Sequence, residues 1–163
     1  MPAIPASESD ILTIQQLAES IWLTHYVPII GEAQTLYMLD KMYSADALKQ
    51  QMDGGLLFYL WQEQGISVGF AAIDTANFDY GFLSKFYLDE KYRGKGIAGQ
   101  FLQFLEKVFG LAGKKEIQLT VNRQNIGAIN FYFKAGFKII RCADFDIGNN
   151  YLMNDFVMSK KLD

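Results

Sequence analysis

The sequence predicts a mixed α/β (α+β) fold, one sheet flanked by helices, on three observations. Two strand-like runs, 56–62 and 66–73, are separated only by Glu63-Gln64-Gly65, the spacing of a β-hairpin. The apolar stretch 82–88 passes through a charged turn into Arg93-Gly94-Lys95-Gly96. An amphipathic helix follows at once, with Ile97, Phe101, Phe104, Leu105 and Val108 at helical spacing. Beyond that helix, strand-like and helix-like segments alternate to the end of the chain.

Taken in order, residues 1–8 hold all but one of the prolines and read as an extended lead-in. Ser7 and Asp10 have capping-box spacing. The stripe Ile11, Ile14, Ala18, Ile21 and Trp22 then predicts a helix to about His25, broken by Pro28 and Gly31. A second helical region presents Leu36, Leu39 and Tyr43 on one side, restarts near Ser44 and stops at Gly54-Gly55. The hairpin follows, then a polar connection from Thr75 to Gly81 and the third strand, 82–88. The amphipathic helix closes at Gly110 and Gly113. Glu116 to Val121 alternates and predicts a strand. Ile126 to Ala135 predicts a helix ending at Gly136, a C′ glycine. Phe137 to Arg141 reads as a strand, 144–154 as a polar loop, and Asp155 to Ser159 as the last strand. The order is α-α-β-β-β-α-β-α-β-β.

The 163 residues suit a single domain, 1–163, and half of them are hydrophobic, enough for a core. A net charge of -3 and a pI near 5.2 argue against general nucleic-acid binding. One cysteine, Cys142, allows no intramolecular disulfide, and one histidine, His25, disfavours a multi-histidine metal site. No metal is expected. The first Lys or Arg is Lys41, which fits neither a signal nor a transit peptide, and no apolar run nears the ~20 residues of a membrane span. The expectation is a cytoplasmic protein with no membrane partner.

Against this acidic background Lys85, Lys91, Arg93 and Lys95 crowd into eleven residues. The first N–H groups of the helix after Gly96 lack internal partners, and the dipole there favours negative charge. Gly94 and Gly96 let an anion approach the backbone. The expected ligand is a pyrophosphate. Gly94, Gly96 and Gly99 also satisfy G-x-G-x-x-G, but polar residues separate them from the strand. The next strand ends in Val121-Asn122 rather than an acid, so a dinucleotide site is disfavoured. No Gly-Lys-Ser/Thr follows, which excludes a Walker A loop.

Arg93-x-x-Gly96-x-Ala98 resembles the acyl-CoA pyrophosphate loop, Gln/Arg-x-x-Gly-x-Gly/Ala, of the GNAT superfamily of N-acetyltransferases. Asn125 to Phe137 looks like that family's Asn-x-x-Ala-x-x-x-Tyr-x-x-x-Gly-Phe segment, with Ala128, Tyr132, Gly136 and Phe137 in place. One helix and one strand separate the two motifs, as in the family. The layout is similar to small bacterial polyamine acetyltransferases, the segment from Asp146 through Lys160 included.

The resemblance implies a mixed, mostly antiparallel twisted sheet, splayed between the strand ending at Leu88 and the strand 116–121. It implies acetyl-CoA as cosubstrate and direct attack of a primary amine through a tetrahedral intermediate. The implied cofactor contacts are Phe86, Tyr87, Leu88, Arg93, Gly94, Lys95, Gly96, Ile97, Ala98, Asn125, Ala128 and Tyr132. The pantetheine arm would bond backbone groups near Phe86 and Leu88. The Leu88 N–H is the candidate oxyanion donor and Tyr132 the general acid. From the residues alone Tyr132 reads as a core aromatic. A phenol with a pKa near ~10 nonetheless holds the proton a thiolate needs.

Where many relatives carry a catalytic glutamate, this chain has Phe82. Asp79 and Ser84 are near, and neither is singled out, so no base is assigned. Trp22, His25, Tyr26, Tyr37 and Tyr43 fall in the acceptor-shaping region but read as core or rim. Asp144, Asp146 and Asp155 read either as a solvated hairpin loop or, beside an amine site, as carboxylates that attract a cationic acceptor such as a polyamine. The competing readings are an acyl-CoA-binding or regulatory module without turnover, and a protein N-terminal or lysine acetyltransferase. The aromatic excess is compatible with a homodimer.

Overall fold

A computed structural model describes residues 2–163. Seven strands form one sheet in the order β1-β2-β3-β4-β5-β7-β6. They are β1 (Ala3–Ala6), β2 (Leu57–Glu63), β3 (Ile66–Asp74), β4 (Gly81–Leu88), β5 (Glu116–Asn122), β6 (Lys138–Gly148) and β7 (Tyr151–Lys161). Every pairing is antiparallel except β4 with β5. The helices are α1 (Ile11–His25), the single turn α2 (Val27–Ile30), α3 (Glu32–Tyr43), α4 (Ala45–Asp53), α5 (Ile97–Leu111) and α6 (Ile126–Lys134). No helix among the described residues is long and apolar enough to cross a membrane.

Each face of the sheet covers its own core. On one face α5 and α6 bury Phe101, Leu105, Phe109, Ile129 and Tyr132 against Leu83, Ile117, Leu119 and Met158. On the other, α1, α3 and α4 bury Ile14, Ala18, Trp22, Met38 and Leu48 against Phe58, Leu60 and Phe70. The stripe Ile14, Ala18, Ile21 and Trp22 is the buried side of α1, as its spacing predicts. In α3 the inward side is Thr35, Met38 and Tyr43, while Leu36 is 48% exposed. Tyr43 lies on the predicted side, but the other inward positions fall one residue before Leu36 and Leu39, and Gly31 (φ 85°) precedes the helix.

Two segments differ from the sequence expectation. The lead-in contains β1, an edge strand in register with 58–61 of β2. Pro5 fits there because an edge strand can leave one side of its ladder unbonded. Residues 144–154 are not a loop. β6 and β7 form a long hairpin whose tip, Asn149-Asn150, has φ of 55° and 61°. Paired positive φ values at two asparagines suit a tight hairpin turn whose twist matches the strands. Asp10 accepts from the Ser7 N–H at 2.9 Å, so the predicted box caps a short 3-10 turn leading into α1.

The feature that makes a site is a fault in the sheet. β4 and β5 pair only at Gly81–Ile117 and Phe82–Gln118. Beyond Phe82 the two parallel strands part, as the resemblance implied.

Candidate active site

A cleft of about 490 Å³ opens where β4 and β5 separate. Its β4 wall is Leu83, Ser84, Phe86, Tyr87 and Leu88, and its β5 wall is Leu119 to Asn122. The Asp89 N–H donates to Val68 O of β3 at 2.8 Å. An antiparallel ladder alternates, so the backbone groups of Leu88 and Phe86 turn away from β3 and face the gap. Arg93 Nε already bonds Leu88 O from that side, at 3.3 Å. Among the described residues the Leu88 N–H has no partner across the gap, since β5 pairs with β4 only as far as Phe82.

At one end of the cleft lies the turn into α5. Gly94 and Gly96 have φ of 74° and 79°, the left-handed region that other residues adopt at a cost. No heavy atom comes within 4 Å of where a Cβ on Gly94 would lie, and at Gly96 only the Gln100 amide, at 4.0 Å, does. The space above the loop is open. The first bond inside α5 is Gln100 N–H to Gly96 O, so the N–H groups of Ile97, Ala98 and Gly99 have no helical partner. Free donors, a positive dipole end and Arg93 together fit a diphosphate.

Most of the expected cofactor contacts line this one cleft: Phe86, Tyr87, Leu88, Arg93, Gly94, Gly96, Ala98, Asn125, Ala128 and Tyr132. Two do not. The Ile97 side chain is 7% exposed and belongs to the core, which leaves only its N–H for a ligand. Lys95 Nζ sits over the Tyr92 ring, 5.3 Å from its centroid, outside the lining.

Asn125 is the N-cap of α6: its Oδ1 accepts from the Ala128 N–H at 3.4 Å. The same oxygen accepts from His25 Nε2 at 3.0 Å, which places that ring proton on Nε2. His25 therefore ties the end of α1 to the start of α6, a link with no sequence signal because the residues lie 100 apart. Tyr132, on α6, is packed among Phe86, Phe131 and Phe137. Burial pushes its phenol well up, so it stays protonated through neutral pH. Among the described residues none hydrogen-bonds its hydroxyl.

At the far end Trp22, His25, Tyr26, Ile30, Met38, Met42 and Met153 enclose the cleft, and Gln34 and Asp155 add polar groups. Tyr37 and Tyr43 are not in the lining. Tyr37 donates to Ile147 O at 2.8 Å, and Tyr43 is buried beneath Trp22. Of the three acids in the hairpin, Asp144 pairs with Arg123 and Asp146 bonds the Gly148 N–H at 2.9 Å; both are exposed. Asp155 alone of the three faces the cleft, 1% exposed and, among the described residues, with no partner on Oδ1. Burial lifts its carboxyl to about 6, against the pull of the Thr120 hydroxyl and the Arg123 guanidinium. Ser84 lines the β4 wall, whereas Asp79 lies outside the lining, in the exposed turn before β4.

Residues 14–137 match the sequence model of the acetyltransferase (GNAT) family. The chain belongs to that family. Spermidine N(1)-acetyltransferase of Thermoplasma acidophilum is 28% identical over 160 residues, 95% of this chain and 93% of its own. Spermine/spermidine N(1)-acetyltransferase of Bacillus subtilis is 35% identical over 66 residues, 40% of this chain and 43% of its own. The crystal structure of the PaiA N-acetyltransferase of T. acidophilum in complex with coenzyme A superposes with a TM-score of 0.82. That match has 27% identity and covers 99% of this chain and 100% of that one. As a GNAT protein this chain is an N-acetyltransferase, and the family's cosubstrate is acetyl-CoA. The gap between β4 and β5 is thus the expected seat of the acyl donor.

Proposed function

We propose that this GNAT enzyme transfers the acetyl group of acetyl-CoA to a primary amine of a small polyamine or similar aliphatic cation. The observation that carries the reading is the single cleft running from the free N–H groups of α5, past Leu88 and Tyr132, to an aromatic and thioether wall with one buried carboxylate. A methylene chain suits such a wall, and an ammonium suits the carboxylate. The similarity to enzymes named for spermidine and spermine supports the same acceptor class.

In the proposed reaction, α5 and Arg93 hold the diphosphate while the backbone of Phe86 and Leu88 aligns the pantetheine arm. The Leu88 N–H stabilises the oxyanion as the amine adds to the thioester carbonyl. As the C–S bond breaks, Tyr132 gives its proton to the thiolate. Holding both reactants in one groove contributes by proximity.

The test is CoA release measured with spermidine, an aminoglycoside, free amino acids and N-terminal peptides as acceptors. Spermidine should be turned over with the highest kcat/KM. Activity confined to the peptides would replace the polyamine with a protein acceptor.

A further inference from the structure

We propose that Asp155 is the group that takes the proton from the attacking amine nitrogen, filling the role left open by Phe82. The proposal rests on the reading of the cleft as an amine acetylation site, and it holds for any primary amine acceptor.

Placement comes first. Counting the parallel register on from Phe82–Gln118 puts Phe86 about level with Asn122 of β5. Asn122 pairs with Asp155 of β7. Asp155 therefore lies one strand beyond β5, level with the stretch of β4 whose backbone faces the gap and at the height of the proposed thioester. Opposed residues of an antiparallel pair share a face, so Asp155, Asn122 and the diagonal Thr120 point the same way. That way is toward Met153 and Tyr26, the acceptor side.

Chemistry singles out the residue. Among the residues lining the cleft Asp155 is the sole carboxylate. A buried carboxylate oxygen without a protein donor is costly, and this one is left to find its partner in the cleft. The other acids near the hairpin are already engaged, Asp144 by Arg123 and Asp146 by its own turn. Glu116 accepts from Ser159 at 2.6 Å and lies outside the cleft. The rival base is His25: its Nε2–H donates to Asn125, which leaves Nδ1 as its basic atom, and an unchanged pH profile in Asp155→Asn that is lost in His25→Gln would move the role there. The groups facing Asp155 are the neutral Thr120 hydroxyl and the charged Arg123, from β5 and the turn after it, and the titratable Tyr26 from the end of α1. Asp144 on β6 lies behind Arg123. His25, Tyr87, Arg93 and Tyr132 share the cleft.

The step balances. A neutral amine adds to the carbonyl carbon, forming the C–N bond and an oxyanion. The nitrogen, now carrying a positive charge, gives one proton to the Asp155 carboxylate. The oxyanion re-forms C=O, the C–S bond breaks, and sulfur takes the Tyr132 proton. The proton on Asp155 then returns to the Tyr132 phenolate through solvent, restoring both groups. An acceptor that arrives as an ammonium has lost one further proton to water.

The pH dependence of kcat/KM tests this with whichever amine is turned over. Ionisation of the amine alone gives a slope of one in log kcat/KM below the amine's own pKa. Asp155 makes the slope steepen to two below about pH 6. Asp155→Asn should lose about 10²-fold or more in kcat/KM at pH 7.5 and keep a slope of one down to pH 5, with CoA affinity unchanged within about twofold. Thr120→Val removes a hydroxyl that draws the carboxyl down, so the steepening should move to higher pH in an enzyme that remains active. An Asp155→Asn enzyme within about threefold of wild type, or one that keeps the slope of two, overturns the assignment. So does a Thr120→Val profile that does not move. A peptide-only acceptor profile would sink the polyamine reading and leave this one standing.

Discussion

Burial pushes both Tyr132 and Asp155 upward, favouring the neutral form of each. The phenol stays protonated and so remains an acid at the pH where the enzyme works. Tyr132→Phe keeps the ring and its packing and removes only the proton. It should lower kcat by about 10²–10⁴-fold while calorimetry finds CoA affinity unchanged within about twofold. Wild-type turnover in the variant would end the role of Tyr132 as acid. For Asp155 the upward shift has a stability sign. Its folded value, about 6, exceeds the roughly 4 of an unfolded aspartate, so between those values the native state binds more protons. Stability therefore falls as pH rises through that window and stays lowered above it. Asp155→Asn removes the charge, so it should melt higher than wild type at pH 7.5 by roughly a few degrees. The difference should shrink toward zero by pH 4. Scanning calorimetry across that range checks the sign; a variant that melts lower at pH 7.5 would mean the carboxylate is satisfied in the fold.

At the scale of elements, the acceptor end of the cleft depends on how α3 grips the β6–β7 hairpin. Tyr37 and Lys41 both donate to Ile147 O, and Gln34 Nε2 donates to Leu152 O at 3.1 Å. Gly148 makes this approach feasible: its φ is 87°, and a Cβ there would lie 2.7 Å from the Tyr37 hydroxyl. Gly148→Ala should push the hairpin off α3, raising the acceptor KM several-fold and leaving the KM for acetyl-CoA nearly unchanged. Steady-state kinetics with each substrate varied would test the split; equal rises in both would place the damage elsewhere. This hairpin is also where the sequence was least legible. β6 is an edge strand exposed along almost its whole length, so it carries no apolar alternation to read. Its strand character comes from pairing with β7, which a linear sequence does not display. The asparagine pair at 149–150 was the one local sign of a tight turn. By contrast the α5 loop was readable, because it follows from spacing around a single helix start, whereas Asn125 and Tyr132 stood out only through the family resemblance. Asp155 stood in the sequence as one acid among three. Only the pairing of β7 with β5 separates it from Asp144 and Asp146.

For the whole molecule, the question is what holds the sheet open on one side and shut on the other. The two cores lie on opposite faces of the sheet, and β4 and β5 touch at its closed root, Gly81–Ile117. Phe109, near the C-terminus of α5, packs directly on that root. A Cβ on Gly81 would lie 2.3 Å from Phe109 Cδ1, so the ring and the strand can meet this closely only because residue 81 is glycine. The same helix presents the free N–H groups of the loop at its other end, about 20 Å away at 1.5 Å per residue. One helix thus joins the packing at the root to the proposed diphosphate site at the mouth. Gly81→Ala should cost about 1–3 kcal/mol through overpacking, roughly 3–10 °C in melting temperature for a domain of this size. If α5 moves as a rigid rod, the same substitution should also weaken CoA binding severalfold, although residue 81 lies outside the cleft lining. Pantetheine, which lacks the diphosphate, should lose little. Calorimetric titration of the variant with both ligands decides the matter. Loss of stability with intact CoA affinity would mean that the ring alone gives way and the mouth is positioned independently of the root.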